Sequence, residues 1–336
     1  MNASGKKNSG RKSFVRFLTA TGSAILAISL FQPIAQAQNA GAASPQACVL
    51  PQMSRLIAQE GGNVRVDANR ELAGSASGRQ ENEKGIAATR NLENDRSLAQ
   101  ARTWFEKGAH KGYTPAEVNL AVASLAGWGG PADAGRALYW LQEAANQGYA
   151  VAYFDLGIVY LQGCGVARDY QQAAHYFELG AKADNAASQM NLGYLYDHGL
   201  GVTRDQVTAA AWYRKAADRD EPSAQYNLGD LYLRGEGVPE DDSLAFTWFE
   251  KSAMQGHTAA CIMLGSLYAA GRGTPRDLQA AYQWLTAAKL QGDTRANTKL
   301  AAIESQLSAE QIMQAKSRAQ SLTPFSRRVG EVALLH

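Results

Sequence analysis

The sequence predicts an all-α fold, a right-handed α-solenoid built from antiparallel helix pairs. Three observations predict it: a 36-residue period through most of the chain, apolar stripes at helical spacing within each period, and no strand-like alternation. The chain has 336 residues, of which 46% are hydrophobic and 19% are charged, so it can bury a core. We therefore expect a stack of short helices in which neighbouring pairs bury one another's apolar stripes.

The period is carried by series of equivalent residues that need no gap or insertion. Leucine, glycine and aspartate recur at the same step, as Leu120, Leu156, Leu192, Leu228, Leu264 and Leu300; Gly127, Gly163, Gly199, Gly235 and Gly271; and Asp133, Asp169, Asp205, Asp241 and Asp277. Chance does not produce so many coincident series, so each unit is predicted to be one structural repeat.

The unit "NLGYLYDHGLGVTRD" shows how each repeat is expected to fold. Leu192 and Leu195 lie three positions apart, as on one face of a helix, and Gly193 removes a side chain where another helix must come close. Gly199 suits the left-handed position that ends a helix. Asp205 is placed to cap the next helix, because its carboxylate can accept from the exposed backbone N–H groups. The unit is therefore predicted to be helix, loop and helix.

The second helix of each pair carries an aromatic residue that is interpreted as core. In the unit above, either Trp212 or Tyr213 faces inward. The recurring aromatic series is Trp104, Trp140, Tyr176, Trp212, Trp248 and Trp284. Small residues around a fixed helical spacing favour packing over a ligand platform.

Five regions are predicted along the chain. They are a secretory signal peptide at 1–37, a flexible segment at 38–96, the repeat array at 97–306, a C-terminal capping helix at 307–323 and a loose tail at 324–336. The first helix of the array, predicted to start at Ser97, has no recognisable partner helix before it. Ser308 and Gln311 have capping-box spacing at the start of the terminal helix.

The first 37 residues resemble an export signal. Five basic residues are followed by the apolar run Phe17–Phe31 and by Ala35 and Ala37 in the A-x-A spacing of signal peptidase sites. We expect export to the bacterial periplasm after cleavage near Ala37, with an uncleaved N-terminal anchor as the alternative. Removing these five from the 33 basic residues leaves 28 against 31 acidic ones. This balance lacks the excess of basic residues that is typical of nucleic-acid-binding proteins. No later stretch is apolar enough to span a membrane.

The repeat pattern A-x-x-x-L-G-x-x-Y-x-x-G-x-G-V-x-x-D-x-x-x-A-x-x-[WY] resembles the Sel1-like repeat family, a relative of the tetratricopeptide repeats. The stretch Ala224–His257 matches almost throughout, and the resemblance covers about Ser97 to Ala301. The unit Ala116–Gly148 departs from the pattern, with Ser124 in place of the tyrosine. The resemblance implies a non-enzymatic scaffold whose first helices line a concave groove that binds a protein or peptide partner.

The resemblance also identifies candidate binding residues on the first helices. In the relatives an asparagine on this helix hydrogen-bonds the backbone of a bound peptide. The equivalent positions and their neighbours on the same stripe are Asn119, Asp155, Ile158, Asn191, Tyr194, His198, Asn227, Asp230 and Arg234. The alternative is that the asparagine belongs to the repeat consensus and makes a structural bond.

Other patterns that suggest chemistry are interpreted as scaffold. The G-x-G loops occur five times and follow helices, whereas a phosphate-binding loop follows a strand. Asp197 and His198 are adjacent, but a catalytic base also needs a partner and a pocket. The isolated histidines and cysteines predict no metal or other cofactor. No serine of the expected mature chain has lysine three positions later, so a β-lactamase assignment has no support.

The three cysteines, Cys48, Cys164 and Cys261, are interpreted as small buried or loop residues, since an odd number cannot pair fully within one chain. For function, the leading hypothesis is an exported scaffold that acts in envelope assembly or as a periplasmic regulator of a sensor kinase. The first alternative is a cell-wall-directed enzyme or carbohydrate binder. A second alternative is a structural unit that stacks end to end.

Overall fold

The computed structural model describes residues 76–89 and 94–322. They form two compact units, which we call unit 1 (up to Asp184) and unit 2 (from Asn185). The predicted signal peptide at 1–37 and the predicted tail at 324–336 lie outside the described residues. In the described ranges no helix has both the length and the apolar character needed to cross a bilayer.

All regular structure in the described residues is helical. Unit 1 contains α1 (Ala76–Ala88), α2 (Asp95–Ala109), α3 (Thr114–Leu125), α4 (Ala134–Asn146), α5 (Ala150–Gln162) and α6 (Tyr170–Lys182). Unit 2 contains α7 (Ala186–His198), α8 (Gln206–Ala217), α9 (Pro222–Arg234), α10 (Asp242–Met254), α11 (Thr258–Ala270), α12 (Leu278–Leu290), α13 (Arg295–Glu304) and α14 (Ala309–Leu322). Each odd-numbered helix up to α11 packs mainly against the next one, which confirms the predicted solenoid of helix pairs. We call the odd-numbered members first helices and the even-numbered members, up to α12, second helices.

The capping residues predicted from the repeat make the predicted bonds. The Asp205 carboxylate accepts from the backbone N–H groups of Val207 (3.0 Å) and Thr208 (3.1 Å). The other four aspartates of the series cap their helices in the same way. Gly199 ends α7 in the left-handed conformation with φ 65°, a backbone that glycine adopts without a steric penalty. The predicted turn chemistry is therefore confirmed.

The core is built from the residue that follows the predicted aromatic series. In α8 the inward residue is Tyr213, whereas Trp212 is only half-buried. The fully buried series is Phe105, Leu141, Phe177, Tyr213, Phe249 and Leu285. The interpretation of the tryptophan series as core was therefore wrong for the half-buried Trp104, Trp140, Tyr176 and Trp212.

Each buried ring occupies space that a glycine on the partner first helix leaves open. A Cβ added at Gly157 would lie 2.4 Å from the Phe177 ring, and one added at Gly193 would lie 2.8 Å from the Tyr213 ring. Such distances exclude any side chain unless the ring or the helices move. The glycine therefore sets how closely the two helices of a pair approach.

The segment expected to be mostly flexible at 38–96 contains the helix α1 at residues 76–88. Helix α1 packs against α2 and is the partner that the first helix of the array lacked. Its buried residues are Gly78, Asn82 and Gly85, which form no apolar stripe for sequence analysis to detect. Gly85 receives the Phe105 ring, as Gly157 receives Phe177.

Helix α14 lies in the region predicted as a capping helix and packs against α12. Its buried side chains are Ala315 and Ala319. The predicted capping box is present: the Ser308 N–H donates to the Gln311 side chain at 2.9 Å, and the Gln311 N–H donates to the Ser308 hydroxyl at 3.2 Å.

The cysteines differ from one another. Cys261 is a free thiol buried in unit 2, where burial raises its pKa to about 12. Cys164 in unit 1 is buried, as the interpretation of the cysteines as small buried or loop residues allows, but it is also disulfide-bonded, which that interpretation did not include. Cys48 lies outside the described residues.

Candidate protein-binding face

The predicted binding residues lie on first helices of both units, on α3, α5, α7 and α9. In unit 1 they are buried: the exposed fraction is 9% for Asn119, 0% for Asp155 and 4% for Ile158. The contact of these three residues with a partner stays a prediction. Burial nevertheless separates them from their equivalents in unit 2.

Asn119 makes a structural hydrogen bond. Its Nδ2 donates to Oδ1 of Asn82 at 2.8 Å, which joins α3 to α1 in the interior of unit 1. In unit 1 this bond supports the alternative interpretation, in which the asparagine has a structural role.

In unit 2 the equivalent stripe reaches the surface. Asn191 and Tyr194 are half-buried and His198 is exposed. Asn191 Nδ2 donates to the Ala187 carbonyl of its own helix at 2.8 Å, which leaves the side-chain oxygen as the group that can accept from a ligand. The rings of Tyr194 and His198 stack with centroids 4.1 Å apart. One turn of α7 thus offers an acceptor and an aromatic surface.

The next first helix, α9, adds charge to the same face. Arg234 pairs with Asp230 at 2.7 Å and with Glu236 at 2.6 Å. Burial raises the pKa of the Asp230 carboxyl, and the Arg234 charge partly offsets the rise. Asn227 lies one turn earlier, and its Nδ2 makes no hydrogen bond of ordinary geometry within the described residues.

Two residues that sequence analysis did not place in the site lie beside this stripe. Tyr213 of α8 is fully buried, and Tyr194, Asp197, Asn227 and Asp230 all influence its hydroxyl electrostatically. Burial raises the pKa of Tyr213 well above its ordinary value, and the Asn227 side chain partly offsets this. A sequence signal existed, because Tyr213 is the one hydroxyl in a series of phenylalanine and leucine.

Asp197 also departs from the repeat. Equivalent positions hold Thr89 in the first repeat and Leu125, Leu161, Leu233 and Ala269 in the other four. Its carboxylate is only 11% exposed, and His198 Nδ1 lies 3.9 Å away, beyond hydrogen-bond distance. An acid therefore replaces an apolar side chain at the edge of the core.

The arrangement offers hydrogen-bonding groups, an aromatic surface and acidic charge. Within residues 76–89 and 94–322, no group of three or more histidine, cysteine, aspartate or glutamate side chains is placed to hold a metal ion.

Comparison with known proteins gives the family. The Sel1 repeat model matches six consecutive segments, at residues 85–113, 114–149, 150–185, 186–221, 222–257 and 258–293. The first match begins before Ser97, in agreement with the position of α1. No curated protein matches the chain significantly.

Two solved structures share the fold. A protective antigen of uropathogenic Escherichia coli with an SLR fold is 31% identical over 75% of this chain, with a TM-score of 0.63. A Sel1 repeat protein from Oxalobacter formigenes is 33% identical over 68% of this chain, with a TM-score of 0.62. The alignments span 54% and 66% of those two proteins, so both relatives contain further sequence that has no counterpart in the alignment.

Proposed function

This chain belongs to the Sel1 repeat family of helical scaffolds that generally bind other proteins, and we propose that it is an exported, non-enzymatic scaffold whose partner binds the first helices of unit 2. The observation that carries the proposal is the polar stripe on α7 and α9, where Asn191, Tyr194, Asn227 and Asp230 are all partly accessible. Their equivalents in unit 1 are buried. The partner is a protein or peptide, and the concave groove implied by the resemblance would place its backbone along this stripe.

Export has separate support. The basic and apolar start of the chain resembles a signal sequence, and a disulfide such as that of Cys164 is typical of oxidising compartments. Together they favour the bacterial periplasm. Envelope assembly and restraint of a sensor kinase are the roles that we propose there.

The test is crosslinking capture from a periplasmic extract. We expect the wild-type chain to recover a partner that the double variant Asn191→Ala/Asn227→Ala recovers at least tenfold less well. Asn297→Ala is the matched control, because Asn297 is an exposed asparagine of the same unit that lies off the stripe. Circular dichroism melts would confirm that all variants fold. Equal recovery by the double variant and the control would refute the assignment of the face.

A further inference from the structure

Cys164 lies at a loop position that joins neighbouring repeats in part of unit 2. It is the middle residue of the G-x-G turn in the loop between α5 and α6. The equivalent residues of the last two such loops are Glu236, which accepts from the side chain of Gln206, and Arg272, whose Nε donates to Asp242 at 2.9 Å. Both partners are first residues of the second helix one repeat earlier. A side chain at this position can therefore fasten one repeat to another part of the chain.

The repeat that contains Cys164 has a different bond at this position. The residue equivalent to Gln206 and Asp242 is Ala134, the first residue of α4, which has no polar side chain to receive a contact. The exposed fraction of Cys164 is 0%, and its sulfur belongs to a disulfide. Where two repeats of unit 2 have a polar contact, this repeat therefore has a covalent bond to another cysteine.

The sequence contains three cysteines, Cys48, Cys164 and Cys261, so the second sulfur of this bond has few sources. Cys261 is a free thiol in the core of unit 2, and burial raises its pKa to about 12, so very little of it is the thiolate that exchanges with disulfides. A second chain is a poor source, because Cys164 has no exposed surface at which another molecule could reach it. Cys48 is the cysteine that remains.

We propose that Cys164 forms its disulfide with Cys48, and that this bond joins the sequence before α1 covalently to the loop between α5 and α6. Helices α1 to α5 all lie between the two cysteines in the chain, so the bond closes a covalent loop that contains most of unit 1. A bond that closes a long loop restricts the unfolded chain and so favours the folded one. Unit 2 lies outside this loop.

Helix α1 is the part of unit 1 that such a restraint affects most. Its buried residues are Gly78, Asn82 and Gly85, and none of them has an apolar side chain. Hydrophobic burial therefore stabilises α1 less than it stabilises a helix such as α10, whose buried residues include Trp248 and Phe249. Loss of the disulfide should increase local opening of α1 first.

Formation of the bond is an oxidation by thiol–disulfide exchange. The thiols of Cys48 and Cys164 lose two protons and two electrons and form one sulfur–sulfur bond, while a disulfide oxidant takes up both protons and both electrons and becomes two thiols. The inference goes beyond the proposed function, and only the natural source of the oxidant depends on export to an oxidising compartment. A test that supplies the oxidant therefore separates the two.

The test maps the bond in the full chain, refolded in a buffer of reduced and oxidised glutathione. Free thiols are then blocked with N-ethylmaleimide in denaturant, and a protease digest is analysed by mass spectrometry without reduction. We expect one linked peptide pair, containing Cys48 and Cys164, and N-ethylmaleimide on Cys261 alone. A blocked Cys164, a link from Cys164 to Cys261, or a disulfide-linked dimer on a non-reducing gel would overturn the pairing. A chain that forms the expected link but is not exported in cells would refute the proposed export and leave the pairing intact.

The variant Cys48→Ser measures what the bond does, because it removes the proposed partner and leaves every described residue in place. We expect a phosphine reductant to lower the melting temperature of wild type by several degrees, to the value of Cys48→Ser, and to leave Cys48→Ser unchanged. The same treatment of wild type should accelerate hydrogen exchange in α1 about tenfold or more and leave α10 unchanged. An equal fall in melting temperature for both proteins would show that the reductant breaks another bond. No fall in either would show that the bond does not restrain unit 1.

Discussion

The same repeat position has opposite accessibility in the two units. Asp155 and Ile158 on α5 are buried, whereas Asn191 and Tyr194 on α7, the equivalents of that stripe one repeat later, reach the surface. The helices have the same length and the same capping glycine. Repeat register therefore determines where a residue lies on its helix, but not whether a partner can reach it.

The interior of the helix pairs shows the opposite behaviour, because it is nearly the same in both units. Gly157 receives Phe177 in unit 1 as Gly193 receives Tyr213 in unit 2. Conserving this contact while varying the stripe is what a repeat scaffold requires: the pair keeps its geometry, and the surface carries the recognition. The predictions below test whether the two units differ as this comparison implies, from the largest effect to the smallest.

Among the contacts between a helical glycine and a buried ring, the closer ones lie in unit 1, and they give the largest expected effect of this set. Gly157→Ala places a Cβ 2.4 Å from the Phe177 ring, whereas Gly229→Ala meets Phe249 at 3.2 Å. We expect Gly157→Ala to destabilise the chain by about 2 kcal/mol through overpacking, and Gly229→Ala to be nearly neutral because alanine favours the helix. Urea unfolding measures both. Equal losses would show that the Cβ distances do not control the packing.

One residue that precedes a first helix, His257 before α11, makes the stability of unit 2 sensitive to acid. Unit 1 has Tyr113 and Tyr149 at this position, and unit 2 has Asn185 and Glu221 in its other two repeats. The Nδ1 of His257 accepts from the Ala260 N–H, and burial lowers the pKa of His257 to about 4. The unfolded chain binds a proton at this histidine below about pH 6.5, and the folded chain does not until about pH 4. Stability therefore falls as the pH drops through that window.

We expect this histidine to remove at most about 2 kcal/mol of stability between pH 7 and pH 5. His257→Asn keeps a side chain that can cap the helix and removes the titration. Thermal melts at the two pH values should show a smaller acid loss for His257→Asn than for wild type. An identical loss would mean that the pKa of His257 in the folded chain is close to its ordinary value, so that the histidine is already protonated in the folded chain at pH 5.

Substitution of the equivalent asparagines Asn119 and Asn191 tests the difference between the two units directly. Asn119→Ala breaks a buried side-chain bond and leaves Asn82 without this partner, which we expect to destabilise unit 1 by about 1–2 kcal/mol. Asn191→Ala breaks only a bond within its own helix at a half-buried position, and we expect about 0.5 kcal/mol or less. Denaturant midpoints measure the difference. A reversed order would contradict the assignment of a structural role to Asn119 and a binding role to Asn191.

The smallest effect on stability belongs to the ion pairs on α9. Arg234 and Asp230 are both partly exposed, so Arg234→Ala should change stability by about 0.5 kcal/mol or less. Because Arg234 is one of the predicted binding residues, the same change should weaken crosslinking capture of the partner. Unchanged capture would show that Arg234 does not contact the partner.

The sequence predicted the parts of the fold that repeat. The helix pairs, the aspartate caps and the glycine ends follow from local rules, and each is observed. Helix α1 was missed because its buried positions are Gly78, Asn82 and Gly85, which carry no hydrophobic periodicity. The choice between Trp212 and Tyr213 could not be made because both are aromatic neighbours on one helix.

The sequence predicted which helix positions carry the candidate site, but it did not predict which of them are exposed to solvent. The stripe on α7 and α9 follows from the repeat register, but the burial of Asp155 and Ile158 depends on tertiary surroundings that no local pattern encodes. The Tyr213 oxygen and the Asp197 carboxylate could have been found as departures from the repeat.

The most direct test of the account is a hydrogen-exchange footprint of the full chain with the partner recovered by crosslinking. We predict added protection in α7 and α9, centred on the turns that carry Asn191 to His198 and Asn227 to Arg234, and unchanged exchange in α3 and α5. Protection concentrated on α3 and α5, or on the second helices, would contradict the claim that the first helices of unit 2 form the binding face.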